Sequence, residues 1–313
     1  MGRLVASKLL STLVIAWVVA TTVFFAMRLI PADPAQVVLG DQASAEALAA
    51  FRAKVGLDRS LGDQYVAFLG GLASGDLGQS LVNGRPIGPQ IAEAVPDTFA
   101  LALGALVIGA AIGVPLGIAA AVRRNTWIDV ASRLFALLGF SFPSFYLGIL
   151  LLIVLSVWLG WFPVIHNTRD ATPLEYLHKL ALPALTLGLV QAAYITRLTR
   201  ATMLEALAQD YIRTAVAKGL APARIYFKHA LRNVLIPVIT AVGLYTGTTL
   251  GGAVLIETVF SRPGLGRLLV GAIAQRDYNM IQSGLIVFSL VIVLVNLLVD
   301  LSYGLLDPRI RHT

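Results

Sequence analysis

The stretch TFALALGALVIGAAIGVPLGIAAAV, Thr98–Val122, contains no Asp, Glu, Lys or Arg. A helix crosses the hydrocarbon core of a bilayer with about 20 mainly apolar residues, so this segment reads as one span. Five more charge-free stretches follow the same rule: Leu9–Met27, Leu134–Thr168, Leu180–Thr196, Asn233–Ile256 and Tyr278–Val299. The Leu134–Thr168 stretch exceeds one span and takes in part of a loop, because Pro163, His166 and Asn167 interrupt its end. Leu180–Thr196 is the shortest, and Lys179 and Arg197 lengthen it by snorkelling from its ends. The expectation is an all-α polytopic membrane protein with six transmembrane helices. Pro115 and Pro143 are expected to kink their helices, and Pro183 to mark a helix start.

Composition agrees with this reading. The 313 residues are 57% apolar and only 13% charged, with a mean hydropathy of +0.80. Soluble domains carry roughly 25% charge, so a water-facing surface cannot be covered. Disordered and nucleic-acid-binding classes are excluded despite a pI near 9.9. There is no cysteine, hence no disulfide framework, thiolate nucleophile or Cys-ligated metal site.

The net charge of +7 is a matter of topology. With the N-terminus in the cytoplasm, the inside segments are 1–8, 123–133, 197–232 and 300–313. They carry 14 of the 24 Lys and Arg against five acids, as the positive-inside rule requires. Both termini are then cytoplasmic. Arg3 and Lys8 before an apolar run also suit a secretory signal, but that run is longer than the usual apolar core of about 7–15 residues. An uncleaved first span is therefore expected.

Two glycine ladders mark close helix contacts: Gly109, Gly113 and Gly117, and then Gly243, Gly247 and Gly251. Small residues let helix backbones approach in lipid. Each ladder suits packing within the chain or a subunit interface.

Enzyme signatures are missing. No His-Glu-x-x-His, Gly-x-Ser-x-Gly or Gly-Lys occurs, so a zinc protease helix, a nucleophile elbow and a Walker A loop are all absent. Catalytic and metal-ligating residues are not expected. The spans also lack the buried charges that mark ion-coupled carriers. Their mid-span polar groups are Gln191, Asn296, Ser283 and several threonines. Uphill transport would draw its energy from another chain. Gln191, Tyr194, Tyr245 and Asn296 are candidate pore-lining residues, or else helix–helix contacts.

Residues 197–233 form the longest inside segment. Leu204, Leu207, Tyr211, Ala215 and Val216 recur at helical spacing. Gly219 follows Lys218 as at a helix C-cap, and Pro222 suits the first turn of a second helix. On that helix Tyr226, Phe227, Ala230, Leu231 and Val234 share a face, while Arg224, Lys228 and Arg232 line another. This helix–Gly–helix unit fits either a surface hairpin with its basic stripe on lipid phosphates or a docking element for a cytoplasmic partner.

The run from Asp210-Tyr-Ile-Arg-Thr-Ala-Val-Ala-Lys-Gly219-Leu to His229-Ala-Leu-Arg-Asn233-Val-Leu-Ile-Pro237 resembles the coupling loop of ABC importer permeases. More narrowly it resembles the dipeptide/oligopeptide/nickel branch. Against the general signature Glu-Ala-Ala, three residues, Gly, nine residues, Ile-x-Leu-Pro, only Ala215, Gly219 and Leu231 match, a departure typical of the peptide branch. Leu29-Ile-Pro-Ala-Asp-Pro-Ala35, Gly56-Leu-Asp-Arg59, Gln64-Tyr65 and Gly75-Asp-Leu-Gly-Gln-Ser80 also fit the branch, with Ala32 in place of its usual Gly. So do Glu257-Thr-Val-Phe-Ser-Arg-Pro-Gly-Leu-Gly-Arg267 and Arg276-Asp-Tyr278. The resemblance covers nearly the whole chain.

The resemblance implies an ABC type I importer-like permease of the bacterial cytoplasmic (inner) membrane. Residues 1–97 would hold the first span and an extracytoplasmic helical loop. Residues 98–313 would be a five-helix permease core with the coupling loop at 197–233. Its implied partners are a second homologous permease, two ABC ATPase subunits, an extracytoplasmic solute-binding protein and the lipid bilayer. No cofactor is bound by this chain; ATP and Mg belong to the ATPases. Asp210, Tyr211, Arg213, Ala215, Lys218, Gly219 and Leu220 would form the coupling helix and its exit turn. Glu257, Phe260, Pro263, Gly264, Arg276 and Asp277 would form an outer gate or partner contact. Leu48, Phe51, Val55 and Leu57, with Tyr65, Phe68 and Leu72, suggest that the 31–97 loop has a small apolar core. That loop is either a cap or a contact for the binding protein. The implied cargo is di- or oligopeptides, or alternatively nickel, glutathione or another small solute.

Overall fold

The computed structural model describes residues 2–29, 33–40, 42–166, 168 and 171–306. Ile30, Pro31 and Ala32 of the first motif, and the segment after residue 306, lie outside the described residues. Among the described residues the chain is helical, with one isolated bridge between Gln79 and Pro86. Helix α1 is Gly2–Leu29; α2 (Pro34–Leu39), α3 (Ala45–Val55) and α4 (Leu61–Ser74) are short. The long α5 (Ile87–Val122) follows, then α6 (Trp127–Ser141) and α7 (Ser144–Leu151), which runs into a π-helical segment, Leu152–Trp158. The second half comprises α8 (Pro173–Leu207), α9 (Asp210–Ala217), α10 (Pro222–Arg224), a π-helical Ile225–Ala230, α11 (Leu231–Val259), α12 (Leu265–Ala274) and α13 (Tyr278–Leu306).

Four segments are long and apolar enough to cross a membrane: Leu9–Leu29, Ile87–Val122, Pro173–Leu207 and Tyr278–Leu297. Two bent pairs bring the number to six, if each pair makes one span. Trp127–Ser141 and Ser144–Trp158 meet at 105°, and Pro222–Gly243 and Tyr245–Val259 at 42°. The sharper break falls at Phe142-Pro143, where both residues are extended. Proline supplies no N–H and pushes its predecessor out of the α region. By contrast, Pro115 lies inside the continuous α5.

Pro183 does not start a helix. The helix begins ten residues earlier at Pro173, where Thr172 and Glu175 form a reciprocal capping box and Pro173 takes the first turn. Pro183 sits inside α8 and leaves the Lys179 carbonyl without its intrahelical donor. Arg262 Nη1 donates to that oxygen at 3.5 Å.

The core is built on α5 against α8, and the first glycine ladder makes this contact. A Cβ on Gly109 would lie 3.0 Å from Gln191, and one on Gly113 only 2.6 Å from Ile195. One on Gly117 would lie 2.5 Å from Thr199. This ladder therefore packs within the chain. In the second ladder, Gly247 meets Asn296 of α13, and Gly251 faces open space.

The 31–97 segment contains helices but no separate apolar core among its described residues. Neither α3 nor α4 buries a side chain. Instead α4 leans on α1: Tyr65 and Phe68 pack around the buried Phe24, and the Tyr65 hydroxyl and Thr21 Oγ1 are 2.7 Å apart. Arg28 stacks on Phe24, donates to Gln64 and reaches Gln282 of α13 at 3.2 Å. The segment uses the surface of the spans as its core.

Candidate functional site

With 36 residues and a rise of 1.5 Å each, α5 has two well-separated ends, and each gathers one group of the expected site residues. At the Val122 end, α9 packs onto the bundle. Ile212 and Ala215 are its buried residues, and they join Ile118, Ala121, Met203, Ile225 and Val234 in one apolar cluster. Tyr211, Arg213, Val216 and Lys218 point away from it and are exposed, as is Asp210, which pairs with Arg213 at 3.2 Å.

The exit from α9 is fixed by backbone chemistry. The Gly219 amide donates to Val216 O at 2.9 Å and the Leu220 amide to Ala215 O at 3.3 Å. Gly219 has φ +71°. This is a Schellman turn, with glycine at the left-handed position and Leu220 packing back toward Ala215. A Cβ at 219 would meet nothing within 4 Å, so the constraint is the backbone angle and not space.

Two details differ from the sequence pattern. Leu204 and Leu207 belong to α8, which ends at Leu207, so the buried face of α9 is Ile212 and Ala215 rather than a continuation through Tyr211 and Val216. In the next helix Tyr226, Ala230, Leu231 and Val234 pack on the cluster as expected, but the π-helical turn adds a residue, turning Ile225 inward and leaving Phe227 exposed. Sequence reasoning also passed over Asp129. It is fully buried on α6, where it accepts from Arg200 Nε at 2.6 Å and Nη2 at 3.0 Å, and from the Asn125 amide at 3.0 Å. The pair ties α6 to α8 close to the α9 junction.

At the Ile87 end the motif residues serve one another. Glu257 is buried, and its carboxylate accepts from the amides of Gly266 (2.7 Å) and Arg267 (3.2 Å) and from Thr98 Oγ1 (2.6 Å). Thr98 Oγ1 in turn accepts from the Leu265 amide at 2.9 Å. The first turn of α12, whose amides have no intrahelical acceptor, is thus capped by α11 and α5 side chains. Pro263 is half-buried at this turn, and Phe260 is buried beneath it with His166 edge-on, ring centroids 5.0 Å apart. Burial holds the His166 imidazole down to about 4, so the ring is neutral.

Arg262 is wholly buried, bonded to Asp97 at 2.5 Å. Asp97 also accepts from Thr168 at 2.9 Å. Asp277 is buried as well: its carboxylate takes the Ser80 hydroxyl, the Leu81 amide and the Met280 amide. This joins the Gly75–Ser80 motif to the start of α13, whereas Arg276 is exposed. Arg262, Asp97 and Thr98 were not singled out from sequence, although Arg262 lies inside the quoted motif.

Of the mid-span candidates, Tyr194 and Tyr245 stack with centroids 4.4 Å apart at 11°. Asn296 is exposed beside Gly247. Gln191 is buried against Gly109 with neither amide atom hydrogen-bonded.

The arrangement is a bundle with a rigidly mounted short helix at one end and a capped helical element at the other. Residues 113–312 match the family described as binding-protein-dependent transport system inner membrane component, and residues 1–102 match its N-terminal companion. The chain belongs to this permease family. It is 41% identical to the di/tripeptide transport system permease protein DppB of Pseudomonas aeruginosa, over 92% of this chain and 93% of the relative. It is also 41% identical to the glutathione transport system permease protein GsiC of Escherichia coli O6:H1, over 98% of both. Among solved structures, the inward-facing MetNI methionine ABC transporter resembles it with a TM-score of 0.56 at 20% identity, covering 70% of this chain and 96% of that one. That likeness concerns the fold, which is of the ABC importer permease type. The family member described here is therefore a multi-pass inner-membrane permease component that works with ATPase partners, not an enzyme.

Proposed function

We propose that this permease forms half of the translocation path for di- and oligopeptides in an ATP-driven importer. A second homologous permease supplies the other half. Two ABC ATPases, which bind ATP and Mg, drive it from the cytoplasm, and an extracytoplasmic solute-binding protein delivers the cargo. Both termini and α9 lie on the cytoplasmic side, as the distribution of Lys and Arg favours.

The observation that carries this reading is the mounting of α9. Ile212, Ala215 and Leu220 root it in the cluster shared by α5, α8 and α11, while Tyr211, Arg213, Val216 and Lys218 are presented outward. A helix held in this way inserts its free face into an ATPase groove and transmits a push to three core helices at once. Closure of the ATPases then switches the bundle between outward- and inward-facing states as a rigid-body change. The capped α12 and its neighbours Phe260, Pro263, Gly264, Arg276 and Asp277 form the outer gate region. Tyr194, Tyr245 and Asn296 are the lining candidates that retain exposed surface.

Peptide cargo is favoured by the DppB relative, and the equal identity to GsiC keeps glutathione, itself a tripeptide, as the second reading. Purification in mild detergent followed by mass spectrometry of retained chains tests the assembly. Uptake of labelled dipeptide and of glutathione by the reconstituted complex tests the cargo. Recovery of this chain alone, under conditions that preserve a known ABC complex, would sink the proposal.

A further inference from the structure

At the Ile87 end a cleft of about 940 Å³ opens between the N-terminal turns of α5 and the length of α12. Its walls include Arg85, Gln90, Glu93, Asp97, Arg267 and Gln275. The volume falls within the range of about 300–1,000 Å³ typical of small-ligand sites, and the lining is polar and of mixed charge.

Its acids are already engaged. Asp97 is bound by Arg262 and Thr168, and Asp277 at the cleft edge by Ser80 and two backbone amides. Glu93 has a partner of its own. The cations are placed differently. Among the described residues the Arg267 guanidinium donates only to a neutral acceptor, the Ser261 carbonyl. The Arg85 guanidinium has no hydrogen bond or ion pair among the described residues, and both arginines are exposed. Glu257 clamps α12, which carries Arg267, to α5 and α11, and Arg85 lies on the turn just before α5, where its carbonyl accepts from the Ser80 amide at 3.0 Å.

We propose that this cleft takes the C-terminal carboxylate of the transported peptide. Arg85 and Arg267 bind the carboxylate through charge-assisted, fork-shaped hydrogen bonds. The Gln90 amide is held by Asn83, Arg85 and Pro86, and the Gln275 amide nitrogen by Gly271 O, which leaves Gln275 Oε1 to accept from a peptide N–H. A guanidinium open to water holds a carboxylate weakly, which suits a stage of passage that must release what it binds. The inference rests on the peptide reading and adds a named contact to it.

The test uses the whole importer in proteoliposomes with saturating loaded binding protein, comparing R85Q/R267Q with R85K/R267K and the parent. Both arginines are exposed, so the variants are expected to fold, and size-exclusion chromatography checks this. The expected result is a loss of about tenfold in peptide taken up per ATP hydrolysed for the glutamine pair, the scale of one charged hydrogen bond. The lysine pair recovers most of the ratio. The binding-protein concentration giving half-maximal ATPase stimulation stays unchanged. An unchanged uptake ratio in R85Q/R267Q overturns the proposal. So does a raised half-maximal concentration with a normal ratio at saturation, which would make the cleft a docking surface for the binding protein. A parent importer that hydrolyses ATP but takes up no peptide overturns the peptide reading itself, a result separable from the other two.

Discussion

The carboxylate of Glu257 occupies the space that a Cβ on residue 264 would need. The glycine of the Pro263-Gly264 turn is therefore required by an acid seven positions earlier in the chain, not by its own backbone angle, which is an ordinary extended one. Gly264→Ala forces the carboxylate out of its bonds to Gly266, Arg267 and Thr98 and should destabilise the chain by about 1–3 kcal/mol, as overpacking does. Glu257→Ala should cost a similar amount by uncapping α12. The double variant should cost clearly less than the sum, because both changes remove one interaction. Thermal unfolding of the four proteins in detergent measures this, and strict additivity would contradict the arrangement.

Gly219 is constrained in another way. Its φ of +71° admits glycine and, less readily, Asn or Asp. Gly219→Val should cost about 1–2 kcal/mol locally and re-aim the exit of α9. The expected phenotype is normal membrane insertion with a several-fold drop in transport per ATP. Gly219→Asn should be much milder. Equal, full coupling in both variants would remove the turn from the mechanism.

Neighbouring residues on α9 should separate cleanly. Ile212 is 4% exposed, and Ile212→Ala should destabilise by about 2–5 kcal/mol, the range for buried aliphatic truncation. Tyr211 is 40% exposed, and Tyr211→Ala should change stability by less than about 0.5 kcal/mol yet weaken retention of the ATPase subunits. Co-purification and thermal stability measured on both variants give the comparison. A reversal of the two effects would mean that α9 turns its other face to the partner.

His166 predicts a pH response of definite sign. Its folded value is lowered to about 4 by burial, from an ordinary value of 6.5. The unfolded form therefore binds the proton more readily, and the stabilisation present above pH 6.5 is lost as pH falls toward 4. Exchange of the His166 amide, which donates to Phe260 O at 3.1 Å, should accelerate over that window beyond the intrinsic trend. His166→Phe should flatten the response. A parallel profile in both proteins would show that the imidazole does not titrate there.

Much of the architecture was legible along the chain. Charge-free stretches, loop charge and the order of motifs are local properties, and the bilayer imposes a length rule that makes six spans readable without any contact. The Gly219 turn was readable too, because a Schellman cap is written in consecutive residues. The Pro183 expectation failed because the capping box at Thr172–Glu175 starts α8 earlier, and a distant guanidinium serves the carbonyl that the proline orphans. On the inward face of α10–α11, Tyr226, Ala230, Leu231 and Val234 were placed correctly, but Ile225 was missed and Phe227 misplaced, because a π-helical turn shifts the register by one residue, which a fixed 3.6-residue period cannot anticipate.

By itself, the sequence determined that this chain lies in a membrane, how many times it can cross, which branch of permeases it resembles and where the Gly219 turn falls. These follow from hydropathy, charge and short-range backbone chemistry. Only the tertiary structure decided why Gly264 and Glu257 occur together, that Asp277 meets Ser80, that Arg262 reaches Asp97 and Lys179, and that the first glycine ladder is filled by α8. Each of these joins residues far apart in the chain or on different elements, and it is the packing of α5, α8, α11 and α12 that brings a buried charge to its partner.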